Sequence, residues 1–309
     1  MLKFDSQKFI ASDGSSIFYY STPRLKNSRC ALLIVHGMAE HAERYTELAD
    51  HLYRNGVVVY AIDQRGHGKT GQYHGTLGWF AEQDGWQRIV SDIGELSHQI
   101  KNTHPDLPLF ILGHSMGSVA VRSALIRFGS LYQGGFIVGT TMGINGAVRQ
   151  SGRLIAKAEI ARYGSKHPSR LLTALSFGGY NKKVKENRTD MDWLSARHEN
   201  VDTYLADPLC GFTCTSAFFY DLFSGIDFAN DPKHLKQMPT ELPIILLSGQ
   251  DDPVGGMGKE VLKLKERLED CGMKHVHLTL YPHKRHELLN EDSRYEVYEH
   301  ILKFINIYG

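Results

Sequence analysis

The sequence predicts an α/β fold, with a mostly parallel central sheet, helices on both faces and a helical cap inserted between two strands. Three observations carry this. Short continuous apolar runs at residues 30–35, 57–62 and 244–247 have the character of strands buried on both faces. Stretches with apolar residues at helical spacing lie between such runs, as in parallel sheets whose strands alternate with crossover helices. The alternation breaks once, between 140 and 243, over about 100 residues where a strand–helix–strand unit needs ~30.

Residues 8–11 and 17–20 read as two strands of a hairpin turned at Asp13-Gly14. Residues 30–35 form a buried strand. A helix over 41–55 follows from Tyr45, Leu48, Ala49 and Leu52, with Gly56 as its stop. The run 57–62 is the next buried strand. Ile89, Val90, Ile93 and Leu96 share one side of a helix over 87–101. Strand 109–112, helix 116–128 and strand 136–138 continue the series. It resumes with strand 244–247, helix 258–269, strand 276–280 and helix 293–307.

The surplus in the middle, about 60–70 residues by the same comparison, reads as helical. Leu154, Ile155, Ala158 and Ala161 form one stripe, and Leu171, Leu172 and Leu175 another. Insertions between sheet elements sit over the carboxyl ends of the strands, where ligands bind. The expected organisation is one core interrupted by an insert: core over 1–142, helical cap over 143–206, core again over 207–309.

Composition excludes several classes. With 309 residues, 42% hydrophobic and 22% charged, the chain is ordinary globular protein. A net charge of +1 carries no electrostatic footprint for nucleic acid. Its apolar runs are far shorter than the ~20 residues of a membrane helix. The charged N-terminal stretch argues against an export signal. Cys210 and Cys214 are spaced C-x3-C, not as a redox or zinc pair, and with Cys30 and Cys271 they suit packed thiols in a reducing, cytoplasmic compartment. None of the 16 histidines falls in a metal-ligand spacing, so no metal and no cofactor is expected.

The chemistry is concentrated at Gly113-His114-Ser115-Met116-Gly117. This G-x-S-x-G joins a buried strand to a helix, the context of a nucleophile turn. The turn holds the Ser115 hydroxyl clear of the sheet. A serine hydroxyl needs a base, and the base needs an orienting acid. Two acids, Asp251 and Asp252, end the strand after the insert. Two histidines, His283 and His286, follow the last strand. Chain order Ser, acid, His is therefore available.

Taken together, these segments resemble the α/β-hydrolase superfamily, in its monoacylglycerol lipase and lysophospholipase-like branch with serine aminopeptidase relatives. The resemblance covers nearly the whole chain. It rests on H-G-M-A-E-H-A-E-R-Y at 36–45, D-Q-R-G-H-G-K-T at 63–70, G-H-S-M-G at 113–117, D-D-P-V at 251–254 and R-H-E-L-L-N-E at 285–291. It implies an α/β-hydrolase fold and a serine esterase acting on small-molecule acyl esters. It implies His286, not His283, as base, and Asp252, three positions after Gly249, as acid. It implies the backbone N–H groups of Met38 and Met116 as the oxyanion hole. His114 is expected to pack behind the turn. Glu40 and Arg65 recur in the family segments and are expected to pair and brace the oxyanion loop.

Other readings stay open. Gly66 to Gly71 formally matches G-x-G-x-x-G, but no helix is expected to start there, so phosphate binding is set aside. Arg153, Lys157, Arg162 and Lys166 read first as a solvated helix face, with transient contact with an anionic lipid surface as the alternative. Phe212, Phe218, Phe219, Tyr220 and Phe223 could line an acyl channel or pack a helix into the core. An aminopeptidase of the same fold would need a cap acid to hold the substrate amine, and Glu159, Glu186, Asp190 and Asp192 are available. A low-turnover ligand-binding protein is a further alternative. Acyl chain length, alcohol group and oligomeric state are not legible.

Overall fold

A computed structural model describes residues 4–143, 146–184 and 187–309. The strands are β1 (Asp5–Ile10), β2 (Ser16–Ser21), β3 (Cys30–Val35), β4 (Val57–Ile62), β5 (Leu109–His114), β6 (Gly134–Val138), β7 (Ile244–Gly249) and β8 (Val276–Tyr281). They form one sheet in the order β1-β2-β4-β3-β5-β6-β7-β8. The first two pairings are antiparallel and the rest parallel.

The α-helices are α1 (Thr46–Arg54), α2 (Gly68–His74), α3 (Gly85–Thr103), α4 (Met116–Phe128), α5 (Gly146–Tyr163), α6 (Arg170–Phe177), α7 (His198–Ala206), α8 (Ser216–Asn230), α9 (Pro232–Leu235), α10 (Lys259–Asp270) and α11 (Arg294–Tyr308). The expected strands and helices of the core are all present, most with ends shifted by a few residues. The segment read as one helix over 41–55 divides into a 3-10 turn, Ala42–Tyr45, and α1.

Continuous apolar runs serve two cores at once, because successive side chains of a strand point to opposite faces. In β3, Ala31, Leu33 and Val35 join the core beneath α3, α4, α8 and α10. Cys30, Leu32 and Ile34 join the core beneath α1 and α11. That two-sided burial is why these strands carry no polar alternation.

One expectation about the glycine-rich segment fails. Helix α2 starts at Gly68, inside the G-x-G-x-x-G match. The carboxylate of Asp63 accepts the Lys69 N–H at 2.8 Å and the Ala42 N–H at 2.9 Å. A side chain of the protein therefore occupies the helix start that a phosphate would need, and the short helix is stabilised without a ligand.

Candidate active site

A parallel sheet brings the carboxyl ends of its strands to one edge. Here that edge collects His36-Gly37-Met38 after β3, Ser115 after β5, Asp252 after β7 and His286 after β8.

Ser115 sits between β5 and α4 with φ 53° and ψ −120°, a conformation that costs an L-residue roughly 1–3 kcal/mol. Its N–H donates to the Val138 carbonyl at 2.9 Å, which anchors the turn to β6. Flanking glycines are obligatory for steric reasons. A Cβ on Gly117 would lie 2.2 Å from the Val35 carbonyl oxygen, and one on Gly113 2.3 Å from that of Gly117.

Ser115 Oγ lies 2.8 Å from His286 Nε2, and His286 Nδ1 lies 3.0 Å from Asp252 Oδ2. Asp252 is fully buried, and its other oxygen accepts the Val254 N–H at 2.8 Å. Asp251 is exposed; its backbone N–H donates to the Lys284 carbonyl at 2.9 Å and ties the two loops together. His283, exposed and at φ 57°, turns to solvent. The ring of His286 is flanked by Trp193 and His114, with centroids 5.3 and 4.9 Å away.

Two cavities meet at Ser115. One, of about 610 Å³, is lined by Met38, His114, Trp193, Phe212 and His286. The other, about 1140 Å³ including its open mouth, is lined by Met38, Met116, Val119, Leu222, Phe223 and Ile226. Met38 and Met116 thus flank Ser115 where two loops converge. The aromatic group divides: Phe212 and Phe223 face the cavities, whereas Phe218 and Phe219 are fully buried and Tyr220 lies elsewhere. Phe177, Tyr180, Met191 and Leu194, from the segment between β6 and β7, roof the cavities.

Behind the site lies a buried charge cluster. Glu40 Oε1 accepts the Gly37 N–H at 2.6 Å and the Tyr45 hydroxyl at 3.0 Å. Arg44 donates to Glu40 at 2.6 Å and to both oxygens of Glu287 at 2.8 and 2.7 Å. Asn200 of α7 donates to Glu287 at 2.6 Å. Burial opposes the charge on both carboxyls, but Arg44 holds each below the usual carboxylate range, and Glu40 well below it.

The expected Glu40–Arg65 pair does not form. Glu40 meets Arg44, one helical turn along. Arg65 instead meets Asp92 of α3 at 2.7 and 2.8 Å and Asp13 of the β1–β2 turn at 2.7 and 3.0 Å. The motifs placed both residues near the site; only the paths of β4 and α3 decide their partners. Glu287 is a site-supporting residue that the sequence reading missed, although it lies inside the quoted R-H-E segment.

Of the acids named as amine anchors, Asp192 accepts the backbone N–H groups of Arg188 and Thr189 and the Thr189 hydroxyl, Glu159 accepts from Ser216, and Asp190 is exposed. Glu186 lies outside the described residues. Arg153 pairs with Asp227 at 2.8 Å, and Lys157 and Lys166 lie over Tyr220 and Trp79.

All four cysteines are buried and free. Among the described residues, His41, Asp207 and Cys210 bring three potential ligand atoms within 4.8 Å of one another, a grouping invisible in the spacing. His41 Nε2 is already 2.8 Å from Asp207 Oδ2, and burial pushes the Cys210 thiol well up, so metal binding there would have to displace protons. No helix among the described residues is long and apolar enough to cross a membrane.

A family model described as "Serine aminopeptidase, S33" matches residues 26–293. A monoacylglycerol lipase of Mycolicibacterium smegmatis is 27% identical over 90% of this chain and 88% of its own length. The monoglyceride lipase of Homo sapiens is 26% identical over 80% of this chain and 73% of its own. Among solved structures, a thermostable carboxyl esterase from Bacillus coagulans, in complex with glycerol, superposes with a TM-score of 0.91 at 27% identity, covering 100% of this chain and 99% of the esterase.

Proposed function

From the premise that this chain belongs to the serine aminopeptidase S33 family and has the α/β-hydrolase fold, we propose that it is a serine hydrolase that cleaves carboxylic esters. The substrates we assign are monoacylglycerol- or lysophospholipid-like acyl esters. The observation that carries this reading is the hydrogen-bonded line Ser115–His286–Asp252 opening onto a cavity with an apolar wall.

In this reading Ser115 Oγ attacks the ester carbonyl while His286 Nε2 takes its proton. Asp252 holds the imidazole with Nδ1–H directed away from the serine. The tetrahedral oxyanion is received by the N–H groups of Met38 and Met116, donors worth several kcal/mol when aimed at developing charge. Collapse passes the proton from His286 to the departing alcohol and leaves an acyl-enzyme. Water, deprotonated by His286, then releases the acid and regenerates Ser115.

The acyl chain is assigned to the branch of Val119, Leu222, Phe223 and Ile226, and the alcohol to the branch beside Phe212 and Trp193. Residues 143–206 are assigned as the cap that selects substrates, since side chains from that segment roof both branches. The reading is supported by the names of the similar lipases and esterase. An aminopeptidase would need a free carboxylate for the amine. The acids lining the first cavity, Glu40 and Glu287, are both held by Arg44. Free buried thiols suit the cytoplasmic location we propose.

One assay panel tests the proposal: p-nitrophenyl esters of graded chain length, monoacylglycerols, lysophospholipids and an aminoacyl anilide, with fluorophosphonate labelling. Ester turnover and labelling are expected, both lost in Ser115→Ala. Labelling that persists in the variant, or turnover of the anilide alone, would overturn it.

A further inference from the structure

His114 is the residue before the candidate nucleophile, and the reaction described above leaves it without a role. It is buried, 4% exposed. Its Nδ1 lies 3.0 Å from Glu40 Oε1, and its Nε2 lies 3.3 Å from the main-chain carbonyl oxygen of His286. A carbonyl oxygen can only accept. The other hydrogen bonds of Glu40 come from donors, namely the Gly37 N–H, the Arg44 guanidinium and the Tyr45 hydroxyl, so its carboxyl is ionised and accepts too. A neutral imidazole has one N–H and one bare nitrogen, and would set the bare nitrogen against an oxygen lone pair. Only the imidazolium satisfies both contacts.

The charge count points the same way. Two buried carboxylates, Glu40 and Glu287, share the single guanidinium of Arg44. A neutral His114 would leave one negative charge uncompensated inside the protein, which is far costlier than a paired one. The groups acting on the ring are Glu40 and Glu287, which favour its charge, and the buried ring of His36, which opposes it; the ring of His286 lies 4.9 Å away. Burial opposes the charge, yet the hydrogen bond and charge of Glu40 carry His114 above the ordinary histidine value.

His36, at the end of the neighbouring strand β3, is an internal contrast. Its Nδ1 lies 2.7 Å from the Gly37 carbonyl oxygen, but its Nε2 accepts the Gln64 backbone N–H at 3.1 Å. An N–H of the main chain can only donate, so His36 carries a single ring proton. Burial accordingly holds it down to about 4.

We propose that His114 is a fixed imidazolium and a positioning residue, clamping the Glu40-braced oxyanion loop to the main chain of the base His286 while neutralising the Glu40–Arg44–Glu287 cluster. Its part in turnover rests on the function proposed above; its charge state does not.

The test is histidine ¹⁵N–¹H NMR of the full chain at a pH near ~8, above the ordinary histidine pKa of ~6.5. His114 is identified by the signals missing in His114→Gln. Both of its ring nitrogens are expected to carry protons, while His36 shows one protonated and one bare nitrogen in the same spectrum. In Glu40→Gln, His114 should fall back to one proton. His114→Gln should lower kcat roughly 10- to 100-fold, the worth of a charge-assisted hydrogen bond, with little change in KM. A bare nitrogen on wild-type His114 overturns the charge state; should His114→Gln not fold, the ring is assigned instead in the wild type from its through-space contacts with the His286 ring, 4.9 Å away. An unchanged kcat in a folded His114→Gln overturns the positioning role. A doubly protonated His114 in a protein that neither labels at Ser115 nor hydrolyses esters would sink the proposed function and leave the charge state standing.

Discussion

Asp252 Oδ2 lies 3.0 Å from His286 Nδ1, with both side chains withdrawn from solvent, while the adjacent Asp251 faces water. Removing the orienting acid from such an arrangement frees the wrong tautomer of the base. Asp252→Asn is therefore expected to lower kcat/KM on a p-nitrophenyl ester by roughly 10⁴-fold. Asp251→Asn should cost far less, and the reverse ranking would show that the hydrogen bond seen here is not the working one.

A larger side chain on the wall of the apolar branch beside Ser115 would shorten it. Ile226 lines it from α8. Ile226→Trp should depress kcat/KM for long-chain esters roughly tenfold, as lost or gained hydrophobic contacts do, and spare the shortest ones. Chain-length profiles of the two proteins check this. Parallel profiles would move the acyl chain to the other branch.

Arg44 is shared between two buried carboxylates, Glu40 and Glu287, and its side chain is only 8% exposed. Arg44→Met removes the ion-pair partner that the two carboxylates share. A loss of about 3–5 kcal/mol in unfolding free energy is expected, read from denaturant midpoints with an unchanged slope. A near-neutral outcome would mean that the carboxyls take up protons when the guanidinium is gone, which a stability–pH profile of the variant would reveal.

Asp221 of α8 is turned toward the start of α3, where a Cβ on Gly85 would lie 2.1 Å from its Oδ2. Burial pushes its carboxyl up to about 7, against the hydrogen bonds from the Gly85 and Trp86 N–H groups. The folded state therefore binds this proton more tightly than the unfolded state. Its contribution to stability is full below the unfolded value near ~3.9 and is lost as pH rises through about 7. Asp221→Asn should flatten the fall in stability across that window, measured by thermal unfolding at a series of pH values. An unchanged slope would assign it to other buried acids.

The sequence by itself determined the features that depend on neighbours along the chain. Runs such as Leu32 to Val35 announce strands because both faces of a central parallel strand are buried. The strand–turn–helix at Ser115 is legible because its flanking positions, Gly113 and Gly117, leave no room for a Cβ. The order of serine, acid and histidine follows from where strands end. Tertiary structure alone decided which groups meet across long separations. Arg44 and Glu287 are 243 positions apart, and no local pattern marks them as partners. Arg65 carries the same charge as Arg44 and stands in an equally suggestive motif, yet α3 and the β1–β2 turn claim it with Asp92 and Asp13. The aromatic cluster around α8 divided between cavity and core for the same reason. A helix shows its buried stripe in its spacing, but the partner that covers that stripe is set by how distant elements pack.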